Sequence, residues 1–248
     1  MSELLERLAT LPADGRAVLL TVLEGEDTGK KLLVIEGGET IGDASRGLEA
    51  HAEAVLRGGR NRLLSPDGVR VFAEWYGPPP RLFVYGAVDT AEAVCAAAKL
   101  LGWTTIVADA RAKFATPERI PSADELLVAW PEEALERARP DHQTAVLVLT
   151  HDDRFDEPAL LGALRTDAFY IGALGSRRNQ ERRRERLLAA GVDEQELERI
   201  SGPCGLDVGS ETLEETAVSI LGEILAVRAG RGGGRLRESP RRIHAEAS

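Results

Sequence analysis

The chain has 248 residues, of which 43% are hydrophobic and 4% aromatic, and its 31 basic and 41 acidic residues give a formal net charge of −10. This length suits one large domain or two modest ones, and the acidic balance disfavours a nucleic-acid partner. The two cysteines have no paired-motif spacing, the charged start MSELLERLAT does not resemble a signal peptide, and no apolar run is long enough for a membrane span. We therefore expect a cytoplasmic protein without a disulfide framework.

Residues 1–79 show the pattern of a small α+β domain built from local hairpins. Ser2 and Ser45 can each cap a helix. Strands are predicted over 17–23, 30–35, 62–64 and 69–75. Gly77 and the three prolines after it cannot continue a strand or helix and favour a stiff connection. We place the domain boundary there, between residues 79 and 80.

Residues 80–229 alternate predicted strands with predicted helices. The strands are 81–85, 104–108, 126–129, 145–149 and 168–171. Helices are predicted over 91–101, from Pro131, from Pro158, from about 179 and 193, and over 213–228. This alternation predicts an α/β fold, a Rossmann-like doubly wound parallel sheet beside the smaller α+β domain. The tail, 230–248, is rich in glycine and arginine with few apolar residues, and we expect it to be disordered.

The turn after the first strand of the larger domain, GAVDTA, keeps only the first glycine of a G-x-G-x-x-G pattern. Val88 obstructs the close backbone approach that the second glycine allows. Asp89 and Glu92 have capping-box spacing and place negative charge where a phosphate would bind. The residues favour a capped structural turn over NAD(P) or FAD binding. Asp109, 23 positions after Gly86, could bind a ribose-like hydroxyl or simply end its strand.

A second glycine turn, Gly172-Ala-Leu-Gly175-Ser176-Arg177-Arg178, is better suited to an anion. Glycines free the backbone, Ser176 can cap the next helix, and two guanidiniums can pair with a phosphate. Further arginines continue along that helix, so the alternative is a solvated basic helix. The residues alone leave both interpretations open.

Polar residues also follow the strand 145–149. His151 and Asp152 are followed by Asp153 and Asp156, a set that could bind a metal, do acid–base work, or form a loop hydrogen-bonding cluster. Ligands of open parallel sheets bind off the carboxyl ends of the strands. His151 and the second glycine turn both fall at that edge, so we expect them to lie near one site.

Three further residues have open interpretations. Cys204, in a loop between glycines, could be reactive, whereas Cys95 lies among alanines of a predicted helix and suits packing. Asp207 could cap the last helix or face the ligand crevice.

Five stretches between residues 81 and 228 carry a family resemblance in their order and spacing. They are TPER with PSAD in 116–124, LTHD in 149–152, YIGALGSRR in 170–178, GPCGLDVG in 202–209, and AVSI in 217–220. These stretches resemble the XdhC/CoxI family, the accessory proteins of molybdenum enzymes such as xanthine dehydrogenase. The N-terminal hairpins resemble the family's smaller domain only loosely.

The resemblance implies a chaperone that holds molybdenum cofactor, a pterin carrying a phosphate, assists its sulfuration and passes it to a molybdenum hydroxylase client. It assigns the phosphate to Gly175, Ser176 and Arg177. The remaining predicted cofactor-binding residues are Gly86, Asp109, His151, Asp152, Gly172, Arg178 and Asp207. We expect a homodimer and, for sulfuration, a cysteine desulfurase as partner. The alternatives are an NAD(P)-dependent oxidoreductase on a Rossmann domain and a regulatory scaffold.

Two departures from the family pattern matter. The family usually has a G-x-G-type turn where this chain has GAVDTA. Its smaller domain usually carries a Ser-Gly-Gly-Cys segment, whereas the comparable stretch here is Ser45-Arg46-Gly47-Leu48. If that cysteine takes part in sulfuration, this chain cannot act in the same way and would be a binding-only relative or one with another ligand.

Overall fold

The computed structural model describes residues 3–44 and 47–241, and the chain divides into two compact units. The first unit comprises the residues up to Pro78 together with those from Gly234 onward, and the second is Pro79–Gly233. The predicted caps Ser2 and Ser45, and residues 242–248 of the predicted disordered tail, lie outside the described residues. Among the residues described, no helix is both long and apolar enough to cross a membrane.

The first unit contains a five-stranded antiparallel sheet in the order β3-β2-β1-β5-β4. Its strands are β1 Ala17–Val22, β2 Lys31–Ile35, β3 Thr40–Gly42, β4 Arg62–Leu64 and β5 Val71–Tyr76. Its helices are α1 Glu3–Ala9 and α2 Glu49–Gly58, with 3₁₀ turns at Pro66–Gly68 and Leu236–Glu238. Because side chains alternate along β1, Val18 packs with α2 while Leu19 lies in the opposite cluster with α1. The predicted hairpins β1–β2 and β4–β5 are confirmed.

The second unit contains a six-stranded parallel sheet in the order β11-β10-β9-β6-β7-β8. Its strands are β6 Arg81–Tyr85, β7 Thr104–Ala108, β8 Glu125–Leu127, β9 Thr144–Val148, β10 Tyr170–Ala173 and β11 Ile200–Ser201. Its helices are α3 Asp89–Leu100, α4 Pro131–Ala138, α5 Asp153–Leu164, α6 Arg177–Ala189, α7 Glu194–Leu197 and α8 Leu213–Arg228. This is the 3-2-1-4-5-6 strand order of dinucleotide-binding folds. The predicted Rossmann-like doubly wound sheet is confirmed, and the strand order reverses between β6 and β9.

Helices cover both faces of this sheet, which explains its continuous apolar strands. Every residue of β9 is buried. Val146 and Val148 pack with α4 and α5, whereas Ala145 and Leu147 pack with α3 and α8. Many of the buried helix positions in these two clusters are alanine, among them Ala91, Ala98, Ala134 and Ala159.

The structure corrects two predicted elements and adds a third. β10 runs over Tyr170–Ala173 instead of 168–171, so Gly172 lies inside the strand; a Cβ there would come within 2.6 Å of the Tyr170 ring and 2.8 Å of Leu147. Gly172 is thus a packing glycine rather than part of the turn. α5 begins at Asp153, which places Pro158 inside the helix instead of in its first turn. The strand β11 was not predicted, because two residues are too short to show a period.

Candidate functional site

The strands β6, β9 and β10 are neighbours and their carboxyl ends share one edge of the sheet. The turn after β6 lies directly against the loop after β9. Gly86 has φ +109, and a Cβ there would lie 2.9 Å from the backbone nitrogen of Thr150. The close approach of these two loops, at the point where the strand order reverses, is what requires this glycine.

In the turn between β6 and α3, the first crossover turn, the acidic side chains at the start of the helix already bind other residues of the chain. The N-cap of α3 is Val88, so the predicted capping box of Asp89 and Glu92 was wrong. Asp89 instead opens the helix and pairs with Arg119 at 2.8 Å. Glu92 accepts hydrogen bonds from the backbone N–H and the hydroxyl of Ser122, at 3.1 and 2.7 Å. A phosphate would meet a valine and a carboxylate at this helix terminus.

Asp109 is buried, with 1% of its surface exposed, and its carboxylate is fully engaged. It accepts hydrogen bonds from the Ala87 N–H at 3.0 Å and from Nε and Nη2 of Arg111 at 2.9 and 2.8 Å. Burial opposes ionisation, but these bonds lower the pKa of Asp109 below its usual value. The observed partners give Asp109 the role of holding the Gly86 turn and Arg111, and its contact with a ribose-like hydroxyl stays a prediction.

The loop after β9 exposes the His151 side chain to solvent and uses Asp152 as the N-cap of α5. The Asp152 carboxylate accepts from the backbone N–H of Arg154 at 3.1 Å and so caps α5. The Arg154 side chain pairs with it and lowers the pKa of Asp152 to about 2. His151 is exposed, and its ring has no hydrogen-bond partner in the described part of the chain. Nor do the described residues contain a group of three or more His, Cys, Asp or Glu that could hold a metal ion.

The turn after β10 has the features that bind anions. Gly175 has φ +139, a conformation that other residues rarely adopt. The Ser176 hydroxyl caps α6 by accepting from the Asn179 N–H at 3.3 Å. Arg177 and Arg178 open the helix, and their backbone N–H groups are among the orphan donors of its first turn. Both side chains are exposed, and neither has an ion pair within residues 3–44 and 47–241.

The arginines further along α6 behave differently, which separates the two interpretations of this helix. Arg183 is buried and pairs with Asp156 of α5, Nε to Oδ2 at 2.7 Å. Arg186 pairs with Asp153 at 2.7 Å, and Arg184 pairs with Glu194. The second half of the helix is therefore held by ion pairs, whereas its first turn presents guanidiniums to solvent.

Two cavities run along this edge of the sheet. One, of about 580 Å³, is lined by Val88, Arg111, Thr150, His151, Asp152 and Asp153. The other, of about 190 Å³, is lined by His151, Asp153, Asp156, Asn179, Arg182, Arg183 and Arg186. Because they share His151 and Asp153, the two cavities adjoin, and together they extend from the first crossover turn to α6.

A third cavity, of about 560 Å³, lies on the other side of the start of α6. Its lining includes Arg177 and Gln180, the acidic residues Glu181, Glu194 and Glu198, and Gly202 and Pro203 of the loop after β11. Gln180 donates to the Ala173 carbonyl at 3.1 Å, and a Cβ at Gly202 would lie 2.4 Å from the Gln180 Oε1. The YIGALGSRR and GPCGLDVG stretches therefore meet around Gln180.

The loop after β11 bears on two open interpretations. Cys204 is buried, and burial raises the pKa of its thiol to about 12, which disfavours a reactive thiolate there. Cys95 is buried as predicted. Thr212 caps α8, in a capping box with Glu215, so Asp207 does not have that role. Asp207 is exposed and, within the described residues, is not among those lining the three cavities; its contact with a ligand stays a prediction.

Comparisons with known proteins give a family match. The family model described as the XdhC Rossmann domain matches residues 82–224. The chain is 35% identical over 185 residues to the uncharacterised protein YqeB of Escherichia coli strain K12, a match covering 73% of this chain and 34% of YqeB. It is 32% identical over 158 residues to a probable xanthine dehydrogenase subunit of Bacillus subtilis strain 168, covering 64% of this chain and 46% of that subunit.

A third relative and one solved structure complete the comparison. The molybdenum cofactor insertion chaperone PaoD of E. coli K12 is 29% identical over 157 residues, covering 63% of this chain and 43% of PaoD. The chain thus spans less than half the length of these three relatives. A crystal structure described as that of a xanthine dehydrogenase, from Bacillus halodurans, superposes with a TM-score of 0.56 at 22% identity, covering 97% of this chain and 98% of that one. At that identity the likeness supports the fold alone.

Proposed function

The chain belongs to the XdhC family, and from that premise we propose that it binds molybdenum cofactor as cargo and assists its insertion into a molybdenum hydroxylase of the xanthine dehydrogenase type. The names of two relatives, a probable xanthine dehydrogenase subunit and a molybdenum cofactor insertion chaperone, support this role. The observation that carries it is the exposed start of α6, whose two arginines have no ion pair among the described residues, because a phosphorylated pterin offers the dianion that such a terminus binds.

The cargo phosphate binds at the turn formed by Gly175, Ser176, Arg177 and Arg178. The turn offers backbone N–H groups at the positive end of the α6 dipole, and two exposed arginine side chains leave the helix there. Guanidinium–phosphate hydrogen bonds are charge-assisted and directional. The first crossover turn offers the opposite, since Asp89 occupies the start of α3. This contrast favours phosphate binding at the turn after β10 over binding at the turn after β6, where dinucleotide-binding folds hold their phosphates. It therefore disfavours the NAD(P)-dependent alternative.

The cargo role is one of binding and handover rather than turnover. The family's Ser-Gly-Gly-Cys cysteine corresponds here to Leu48, which is buried at the start of α2. Burial raises the pKa of both thiols of the chain to about 12, so neither Cys95 nor Cys204 offers a thiolate at neutral pH. Any sulfuration of the cargo then draws its sulfur carrier from a partner such as a cysteine desulfurase. That partner and the homodimer stay predictions.

Equilibrium binding tests this proposal. Molybdenum cofactor released anaerobically from a purified molybdenum hydroxylase is titrated into the wild type, Arg177→Ala and Arg165→Ala. Arg165 is an exposed arginine at the other end of α5, so its variant removes the same charge away from the site. We expect Arg177→Ala to weaken binding tenfold or more, since a charge-assisted hydrogen bond contributes about 1.5–3 kcal/mol and about 1.4 kcal/mol is tenfold.

The outcomes separate the candidate functions. Equal affinities of Arg177→Ala and Arg165→Ala would contradict the assigned phosphate site. No cofactor binding by the wild type, combined with NADH or NADPH binding in a fluorescence titration, would favour the oxidoreductase. Reconstitution of a cofactor-free hydroxylase by the loaded wild type, faster than by free cofactor, is the result that supports insertion.

A further inference from the structure

The larger of the two adjoining cavities contains one cation that the protein holds rigidly. Arg111 lines this cavity and follows β7, and its Nε and Nη2 donate to the buried carboxylate of Asp109 at 2.9 and 2.8 Å. Asp109 is in turn fixed by the Ala87 N–H. A guanidinium locked on one edge by a buried carboxylate is oriented before any ligand arrives.

Aromatic rings restrict where this guanidinium can bind. Its central carbon lies 4.1 Å from the centroid of the Phe114 ring and 5.6 Å from that of Phe155. Both distances are within the range of cation–π contacts, and Asp109 occupies the edge of Nε and Nη2. Nη1 has no hydrogen-bond partner among the described residues, and 33% of the side chain is exposed. The N–H groups of Arg111 Nη1, at the edge of the guanidinium away from Asp109, therefore remain available to donate to a ligand.

The other charged groups lining this cavity already have partners. Asp152 pairs with Arg154 at 2.6 Å, and Asp153 pairs with Arg186 at 2.7 Å. Because other arginines compensate these carboxylates, the cavity keeps the Arg111 donor, the exposed His151 and an apolar side chain, Val88. Such a lining suits an acceptor oxygen on a largely planar, weakly charged group.

Arg111 follows β7, whereas the phosphate turn follows β10. The strands run β10-β9-β6-β7, so the ends of β10 and β7 are three strand spacings apart, which is about 14 Å at roughly 4.8 Å per spacing. We propose that Arg111 binds a carbonyl oxygen of the cargo's pterin ring while the turn after β10 holds its phosphate. This rests on the proposed function and adds to it the second point that fixes the cargo's orientation.

The test uses two conservative variants and two ligands. Arg111→Lys keeps a charge beside Asp109 but loses the guanidinium's free Nη1 donor, and Arg111→Met fills the space beside the phenylalanines without any donor. Each is titrated anaerobically with molybdenum cofactor, and inorganic phosphate competes in a second series. We expect both Arg111 variants to bind the cofactor about tenfold more weakly, as for one charge-assisted hydrogen bond, with an unchanged inhibition constant for phosphate. We expect Arg177→Ala instead to raise both the dissociation constant of the cofactor and the inhibition constant of phosphate.

Unchanged cofactor affinity in Arg111→Lys and Arg111→Met would overturn the Arg111 contact and leave the phosphate site standing. The Arg111 contact would also be overturned if the Arg111 variants lost affinity for both the cofactor and inorganic phosphate. That pattern would mean that the substitutions disturb the whole carboxyl-end edge of the sheet and not one contact. Loss of the Arg177→Ala effect, by contrast, removes the assigned phosphate site, and failure of the wild type to bind the cofactor removes the proposed function itself. Arg111→Lys is decisive if Arg111→Met fails to fold.

Discussion

Arg183 and Asp156 form a two-point ion pair inside the second unit, with Nε 2.7 Å from Oδ2 and Nη2 2.8 Å from Oδ1. Arg183 is 5% exposed and Asp156 1%. The same Nη2 donates to the Leu174 carbonyl at 3.1 Å, so the pair ties α6 both to α5 and to the end of β10. The first turn of α6, where we place the cargo phosphate, is thereby held in position from within.

Breaking this pair is expected to destabilise the protein strongly. Arg183→Met leaves Asp156 as a buried carboxylate without its guanidinium, which typically costs about 3–5 kcal/mol. Urea unfolding followed by circular dichroism measures the loss. The matched control is Arg184→Met, whose partner Glu194 is exposed, and an exposed pair contributes about 1 kcal/mol or less. Equal losses for the two variants would show that the buried pair is not what holds α6.

The close approach at Gly86 gives a second prediction. An alanine there has to adopt φ near +109 and to place its Cβ 2.9 Å from the Thr150 nitrogen. This nitrogen is a backbone atom, so no change of side-chain rotamer can relieve the clash. We expect Gly86→Ala to destabilise by roughly 1–3 kcal/mol. Gly232→Ala serves as the control, since a Cβ there meets nothing within 4 Å. A Gly86→Ala midpoint equal to that of the control would mean that the two loops can separate freely.

The lowered pKa of Asp109 predicts a pH dependence of stability. Burial opposes ionisation, but the bonds from Arg111 and Ala87 bring the folded-state pKa below the value of about 3.9 expected in an unfolded chain. The stabilisation is therefore present above about pH 4 and is lost as the pH falls through the folded-state pKa. The difference in unfolding free energy between wild type and Asp109→Asn should be largest at neutral pH and shrink in acid. A difference that does not change as the solution is acidified to about pH 3, below the unfolded-state pKa, would contradict the assignment.

The two thiols should be unreactive in the folded protein. Because burial raises the pKa of Cys95 and Cys204 to about 12, thiolate is scarce at mildly alkaline pH. Ellman's reagent should therefore label neither cysteine quickly in the native protein and both in urea. Rapid labelling of Cys204 in the native state would restore a direct role for that cysteine in handling sulfur.

The fold could be predicted from the sequence because its periodic signals are local. Mostly apolar strands such as 81–85 and 104–108, separated by helical spacing, indicated a parallel sheet covered on both faces. The predicted elements and caps were wrong where a contact between residues distant in the sequence determines the local structure. Gly172 belongs to the strand because Tyr170 and Leu147 leave no room for a side chain, and Asp89 pairs with Arg119, 30 positions away, instead of capping α3.

The candidate site was predictable only in part for the same reason. The glycine–arginine turn is a contiguous motif, so its residues could be selected from sequence. Arg111 was missed because its significance depends on the burial of Asp109 and on the approach of Phe155, which only the fold brings to its guanidinium. Likewise, no pattern distinguishes the buried Arg183 from the exposed Arg177 in a helix that is arginine-rich throughout.

The most direct test of the central claim is the position of the phosphate in a crystal structure of the protein with molybdenum cofactor bound. We expect phosphate density whose oxygens lie within hydrogen-bonding reach of the backbone N–H groups of Arg177 and Arg178, with the guanidinium of Arg177 turned toward it. Density beside Val88 at the start of α3, with the turn after β10 empty, would contradict it.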